Sequence, residues 1–397
     1  MSERWLVVAH EATNSGAPRM LLEVLRGVQA ARGPGWSCET LLRRGGPLTG
    51  EFARLGPVHL LSHRWAEGAT FRAGLFRKFV DRPWVQPRRL AAALARWPSG
   101  RFDLVYNNTA TNAELVPAVR RVGAPVLTHV HETAYALGKF LTKEALSQTL
   151  GNTDHFLAVS PVVAEALLGS GVAAGAITIV PNFLPELPPR PDAGARQAWR
   201  ARCQLAPEAF VVTGCGHIHE VKGTDLFVEV AAALSAMTAR RLSFIWLGGE
   251  TDVRFARKVR REVRRRNLDG VVRFVGAVAE AKPWFAASDV VAVTSRMESF
   301  SLVALEASAL GRPVVGFAGA RGLAGLLGDQ PNLLAPAWDA SALASALQAL
   351  LQDPGAAQAQ GLRLRAKVAS GFLAAPRIAD ILSIVDKLQQ RRRSRHG

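Results

Sequence analysis

Short β-like runs alternate with helical stretches along the whole chain, and that alternation restricts the fold to parallel, doubly wound sheets with helices on both faces. In the first half the runs fall at residues 5–9, 38–42, 58–61, 104–107, 126–130, 156–159 and 177–180. A proline cluster follows, Pro185-Glu-Leu-Pro-Pro-Arg-Pro-Asp192, which neither helix nor sheet accommodates. The alternation then resumes at residues 210–214, 244–247, 271–275, 290–293 and 313–317. With 397 residues there is room for two ordinary domains, each with its own core. The expected organisation is an α/β protein of two Rossmann-like domains facing a cleft, residues 1–184 and 193–375. A helix in residues 376–397 is expected to cross back to the first domain and end in a frayed basic tail. Its apolar stripe is Ile378, Ile381, Leu382, Ile384, Val385 and Leu388.

Composition narrows the class. Hydrophobic residues make up 49% of the chain and mean hydropathy is +0.10, so the chain folds and leaves little room for disorder. Three widely spaced cysteines, Cys38, Cys203 and Cys215, form neither a disulfide framework nor a zinc pattern. The first ten residues lack a signal peptide's apolar core, and no stretch approaches the roughly 20 apolar residues of a membrane span. A cytoplasmic protein, free or peripheral at the inner membrane face, is expected. The formal charge of +17 attracts polyanions, whether nucleic acid, an anionic membrane face or nucleotide phosphates, without choosing among them.

Chemistry concentrates where apolar runs end. After the run ending at Thr294, residues 295–306 carry two carboxylates, Glu298 and Glu306, across a loop that turns into a helix near Ser301. In open α/β sheets ligands bind at that edge, and a helix start offers unpaired N–H groups to phosphate. Glu306, among apolar neighbours, needs compensating donors, and a ribose diol supplies two. Glu298 stays near the mouth, within reach of hydroxyls of a transferred sugar. The plain alternative is a capping box between Ser295 and Glu298, with Glu306 paired to an arginine.

A second constellation is Gly214-Cys-Gly216-His217-Ile-His219-Glu-Val-Lys222-Gly223, after the strand that opens the second half. Two glycines let backbone approach a ligand, and Lys222 meets a diphosphate as a point charge. In the first half, Ser15, Gly16 and Ala17 precede Pro18 at another helix start, and Asn108 and His131 follow further strands. His129 and Glu132 read as structural partners, leaving His131 for the cleft.

Taken together these motifs resemble family 4 retaining glycosyltransferases, which have the GT-B fold. The E-x7-E run Glu298-Ser-Phe-Ser-Leu-Val-Ala-Leu-Glu306 is followed by Gly311-Arg-Pro-Val-Val. Supporting pieces are the Gly16 loop, His131-Glu132, Val159-Ser160, Val180-Pro-Asn182, Lys222-Gly223, Leu247-Gly-Gly-Glu250 and Phe274-Val-Gly276. The resemblance implies that Glu306 holds the donor ribose, Glu298 the donor sugar, Lys222 the diphosphate, and His131 the sugar near the reacting centre. His131, Glu298 and Lys222 are then the catalytic candidates. Donor contacts extend over Gly216, His217, Gly223, Glu250, Ser299, Phe300, Ser301 and Leu302, while Ser15, Gly16, Ala17 and Asn108 form an acceptor or diphosphate loop. His217 stands where the family often has an arginine, and Ser299 and Ser301 replace frequent glycines.

No Asp-x-Asp pair occurs, so no metal and no cofactor are expected, and Lys222 with the helix start at residues 300–302 meets the leaving-group charge. The expected partners are a nucleotide-sugar donor and a glycan or lipid-linked acceptor, as in cell-surface polysaccharide or glycolipid synthesis. Nucleic acid is not expected. Alternatives are a sugar-nucleotide epimerase, a glycogen-type synthase or a polyanion-binding protein. Residues 71–82 place Phe71, Leu75, Phe76, Phe79 and Val80 on one face beside basic residues, a pattern for an anionic membrane surface or for ordinary inward packing. Residues 254–266 carry eight cations beside Val253, Val259 and Val263, the pattern of a solvated helix face.

Overall fold

The computed structural model describes residues 3–61, 90–92, 94, 95, 97 and 100–396. The aromatic and basic face expected at 71–82 lies outside the described residues. Two compact units are present: residues 1–185 with 374–397, and residues 186–373.

Unit 1 is built on a seven-stranded parallel sheet: β1 (Glu3–Glu11), β2 (Trp36–Arg44), β3 (Val58–Leu60), β4 (Leu104–Asn108), β5 (Val126–Val130), β6 (His155–Ala158) and β7 (Ile177–Ile179). The strand order is β3-β2-β1-β4-β5-β6-β7. Winding proceeds outward from β1, returns beside it at β4, and proceeds outward the other way, so the order switches between β1 and β4. Burial along β4 and β5 is continuous and not alternating, as a parallel strand covered on both faces requires. Trp5 stacks on Tyr106 across the β1–β4 pair, ring centroids 5.8 Å apart. Glu39 on β2 accepts hydrogen bonds from Trp97 Nε1 at 3.0 Å and from Arg101, and its carboxylate meets His59 Nε2 at 2.9 Å. This buried carboxylate fastens the chain on either side of the undescribed stretch to the sheet.

Helix Ala374–His396 belongs to unit 1 and packs against helix Gly16–Arg32. The approach is close: a Cβ on Gly27 would stand 2.5 Å from Ile378 Cγ1. Ile378, Ile381, Ile384, Val385 and Leu388 are buried, the stripe read from the sequence, with Leu382 at its margin. The tail expected to fray is instead helical through His396, carried by propagation from a helix already anchored on its apolar side.

Unit 2 has a six-stranded parallel sheet: β8 (Phe210–Cys215), β9 (Leu242–Leu247), β10 (Val272–Gly276), β11 (Val290–Val293), β12 (Val314–Phe317) and β13 (Leu334–Ala335). The order is β10-β9-β8-β11-β12-β13, which switches between β8 and β11. Residues 186–192, within the proline cluster, cluster with this unit. The basic helix Val253–Arg265 buries Ala256, Val259 and Val263, but Val253 is exposed, so the apolar side begins one turn later than the sequence suggests. Among the described residues no helix is long and apolar enough to cross a membrane.

Candidate active site

In both units the candidate residues gather at strand C-terminal ends beside the switch in strand order, the edge at which ligands bind in open α/β sheets. In unit 2 the loops at the switch are those after β8 and β11. Thr294 Oγ1 donates to the Gly223 carbonyl at 2.9 Å, and the Arg296 N–H donates to the Val221 carbonyl at 2.8 Å. The Arg296 guanidinium makes a two-pronged pair with Asp225 at 2.8 Å and 2.8 Å, and donates to the Glu220 carbonyl at 2.7 Å. Gly223 adopts φ +63°, and a Cβ there would fall 1.9 Å from the Thr294 carbonyl oxygen. Only glycine permits this approach.

The stitched loops present an ion pair. Lys222 Nζ donates to Glu298 Oε1 at 2.7 Å, with the Glu298 side chain 9% and that of Lys222 36% exposed. Gly216 lies under the lysine stem, 3.2 Å from its Cγ to a Cβ built on the glycine. The helix that follows runs Leu302–Ala309, with Ser301 as its N-cap accepting the Ala304 N–H at 3.2 Å. That cap replaces the Ser295–Glu298 box: Glu298 turns to Lys222. The N–H groups of Leu302 and Val303, in the first turn, have no acceptor within the helix. Glu306 is buried on this helix at 8% exposure.

Other candidates are placed less centrally. The Phe300 ring packs against Phe372, centroids 5.6 Å apart, so this residue offers backbone only. Ser299 is half-buried beside it. His217 is exposed, and His219 Nδ1 accepts the Val221 N–H at 3.1 Å. Glu250 is exposed and paired with Arg260, an engagement on the surface of the basic helix. Arg296 was not anticipated. Its only signal in sequence was an arginine between a strand end and Glu298.

Unit 1 repeats the design with neutral groups. Asn108, ending β4, donates through Nδ2 to the Ala17 carbonyl at 3.2 Å. Its Oδ1 therefore faces His131 Nε2 at 3.1 Å, which makes Nε2 the protonated nitrogen and leaves Nδ1 as an acceptor. Ser15 Oγ bonds Thr13 Oγ1 at 2.9 Å and does not cap helix Gly16–Arg32, whose first turn has no acidic residue. Gly16 is exposed at that start. His129 and Glu132 are not partners of one another. His129 Nδ1 meets the Tyr106 hydroxyl at 2.8 Å, while Glu132 accepts from Thr109 Oγ1, from Ala110 N–H at 3.2 Å and from His131 N–H at 3.1 Å. Thr109 holds φ +91°, a rare conformation for a residue with a side chain, fixed by these bonds.

Burial pushes the His129 imidazole down to about 3. His131 also falls well below the ordinary histidine range, first through burial and then through His129 and His10. Both rings are neutral at pH 7. Because the unfolded chain takes up these protons near pH 6.5 and the folded chain does not, stability is complete above about 6.5 and declines as pH falls, for His129 down to about 3 and for His131 in the same direction. For His129 the effect is on the order of a few kcal/mol. Thermal melts from pH 7 to pH 4 should show the gap between wild type and His129→Asn closing with acid; a gap independent of pH would refute this account.

With this geometry in place, the chain's relatives can be read. A family described as glycosyl transferases group 1 matches residues 209–353, and glycosyltransferase family 4 matches residues 35–185. A D-inositol 3-phosphate glycosyltransferase of Kineococcus radiotolerans is 34% identical over 307 residues, 70% of this chain and 70% of that protein. The chain is a family 4 glycosyltransferase. A D-inositol 3-phosphate glycosyltransferase of a Nocardioides species is 29% identical over 68% of this chain and 64% of that protein. The chain thus spans about two-thirds of the length of these curated relatives. The glycosyltransferase also superposes on Anabaena HepE solved with UDP and glucose, at TM-score 0.78 and 18% identity over 96% of this chain and 99% of that one. For sucrose-phosphate synthase of Thermosynechococcus elongatus the values are 0.75, 22%, 97% and 99%. These likenesses show the GT-B fold of the glycosyltransferase, the class expected from its alternating strands and helices.

Proposed function

We propose that this glycosyltransferase moves a sugar, with retention and without a metal, from a nucleotide-diphosphate sugar to a hydroxyl of a glycan or lipid-linked acceptor at the inner membrane face. The observation that carries the reading is the Lys222–Glu298 pair at 2.7 Å beside the open helix start of Leu302–Ala309. Unit 2 holds the donor: Glu306 takes the ribose hydroxyls, Glu298 the sugar hydroxyls, and Lys222 turns from Glu298 to the diphosphate. As the bond from anomeric carbon to phosphate oxygen breaks, its electron pair passes to the diphosphate, which Lys222 and the N–H groups of Leu302 and Val303 stabilise. The acceptor hydroxyl attacks from the same face, and its proton goes to the departing phosphate oxygen. Retention follows from that front-face path, in which Glu298 is occupied by the sugar hydroxyls and no covalent intermediate is formed. Metal independence is supported by the missing Asp-x-Asp pair together with the fixed cation of Lys222. In unit 1, neutral His131 and Asn108 offer uncharged hydrogen bonds to sugar hydroxyls.

The relatives' name, D-inositol 3-phosphate glycosyltransferase, adds a phosphorylated cyclitol as an acceptor to be tried beside glycans. The test is thermal stabilisation by UDP-, GDP-, ADP- and dTDP-sugars, followed by transfer and by NMR of the product's anomeric configuration with a chelator present. A ligand bound only by the folded state raises its stability. Stabilisation by one nucleotide class that is lost in Glu306→Ala supports the assignment. Equal stabilisation of wild type and Glu306→Ala, an inverted anomer, or donor isomerisation without acceptor would overturn the corresponding part.

Arg296→Met tests the stitching of the two loops. Loss of its charge-assisted bonds, about 1.5–3 kcal/mol each before compensation by water, should raise the donor KM several-fold and lower kcat less. Steady-state kinetics at varied donor concentration checks this split.

A further inference from the structure

At the opposite, N-terminal edge of the unit 2 sheet, two arginines converge on one carboxylate and three more arginines stand close by. Asp289, just before β11, takes Arg196 on Oδ1 and Arg200 on Oδ2, the latter at 2.6 Å, and its Oδ2 also accepts the Val211 N–H at 2.7 Å. Arg200 is further satisfied by the carbonyls of Ala287, Pro207 and Ala209 at 3.0, 2.6 and 3.1 Å. Arg365 donates to the Ala309 carbonyl. Arg190 and Arg365 flank Gly311, where a Cβ would stand 3.3 Å from Arg190 Cδ and 3.9 Å from Arg365 Cδ. Arg312 follows directly. Among the described residues no carboxylate pairs with Arg312 or Arg190, and Glu208 nearby is engaged by Arg241 at 2.8 Å.

The cluster is thus built for more negative charge than it contains. Arg312 Nε and Arg196 Nε are both buried without an acceptor. Burial, and next the like charge of Arg196, lowers Arg312 to about 10. Burying a guanidinium in a field of its own sign is unfavourable unless an anion completes its hydrogen bonds. Arginine's planar fork selects a ligand with several oxygens, of the phosphate type.

We propose that Arg312, with Arg190 and Arg196, binds a phosphate-type dianion at a second site on unit 2, independent of the donor assignment. The strand β11 alone, four residues long, separates this edge from the Glu298 loop by about 13 Å, so one phosphate does not serve both. A bound dianion would brace the starts of β11 and β12 from below, and so the loops those strands project at the other end.

The shared chemistry is a phosphate monoester, free in solution or on a lipid headgroup. The full chain carrying Lys222→Ala, which removes the diphosphate cation of the donor site, is titrated calorimetrically with inorganic phosphate at ionic strength matched with chloride. Cosedimentation with phosphatidic acid vesicles, against phosphatidylcholine vesicles, forms the second arm. Phosphate binding that survives Lys222→Ala and weakens at least tenfold on adding Arg312→Gln or Arg190→Ala supports a site for free phosphate. Vesicle binding that is sensitive to both arginine variants, without free-phosphate binding, supports the same site with a headgroup as its source. Arg190 is exposed, so Arg190→Ala keeps the test valid should Arg312→Gln fold poorly. Binding indifferent to both variants, or absent in both arms, overturns the proposal.

Discussion

Lys222→Ala is expected to lower kcat/KM for the nucleotide sugar by about 100-fold or more, with most of the loss in kcat. Removing one preorganised stabiliser of developing charge typically costs about 3–4 kcal/mol of transition-state stabilisation, and each 1.36 kcal/mol is tenfold in rate. A cation needed only when the diphosphate departs acts in the transition state more than in the ground state, hence the weight on kcat. The same change leaves Glu298 without its 2.7 Å partner. Lys222 is over one-third exposed, so water compensates and the stability loss should stay near about 1 kcal/mol. Glu298→Gln should reduce turnover at least tenfold with the fold intact, by weakening the hold on the sugar hydroxyls and releasing Lys222. Transfer rates in both variants, measured beside circular dichroism, decide the matter: near-normal rates in both would sink the donor-site assignment.

Gly223→Ala is expected to abolish measurable donor binding and to destabilise unit 2 by about 3 kcal/mol or more, at the upper end of ordinary single substitutions. The left-handed φ of +63° alone costs about 1 kcal/mol with a side chain present. The larger part is the collision at 1.9 Å with the Thr294 carbonyl oxygen, which is backbone and cannot rotate away. The two loops would have to separate, breaking the bonds of Thr294 and Arg296 and moving Lys222 from Glu298. Gly138→Ala is the matched control, since a Cβ there meets nothing within 4 Å. It sits in helix Ala134–Phe140, where alanine stabilises by up to about 1 kcal/mol. Donor titration and thermal unfolding of the two variants should therefore diverge in opposite directions, and similar behaviour would discount the close approach.

Twelve of the thirteen strands stand where their apolar runs indicated; the continuous hydrophobic signature is fullest in strands buried along their whole length, such as β4, β5 and β11. The exception, Leu334–Ala335, is two residues long and exists only through pairing with β12, a partner that local sequence cannot name. In the candidate site the spacing of Glu298 and Glu306 was legible, since loop and helix periodicity are local properties. What joins Glu298 to Lys222 was not, because the two lie 76 residues apart and meet only through the strand-order switch. Arg296 escaped for the same reason, its partner Asp225 lying 71 residues away in the first turn of helix Thr224–Met237. The tautomer of His131 depends on which way Asn108 turns, and that is set by the Ala17 carbonyl across β1 and β4. Residues whose roles come from long-range hydrogen bonds are therefore the ones composition and spacing pass over.

Helix Ala374–His396 has a consequence for how the protein comes into being. It completes unit 1 by lying over helix Gly16–Arg32, yet on the ribosome it emerges only after all of unit 2. Nascent unit 1 must therefore wait, with the flank around Gly27 and its apolar neighbours uncovered, while 188 residues of unit 2 (186 through 373) are made. At about 5–20 residues per second that interval is roughly 10–40 s, long enough for chaperone capture. Folding of unit 1 is thus gated by a helix made after unit 2, and no single cut between the two units separates them into self-sufficient pieces.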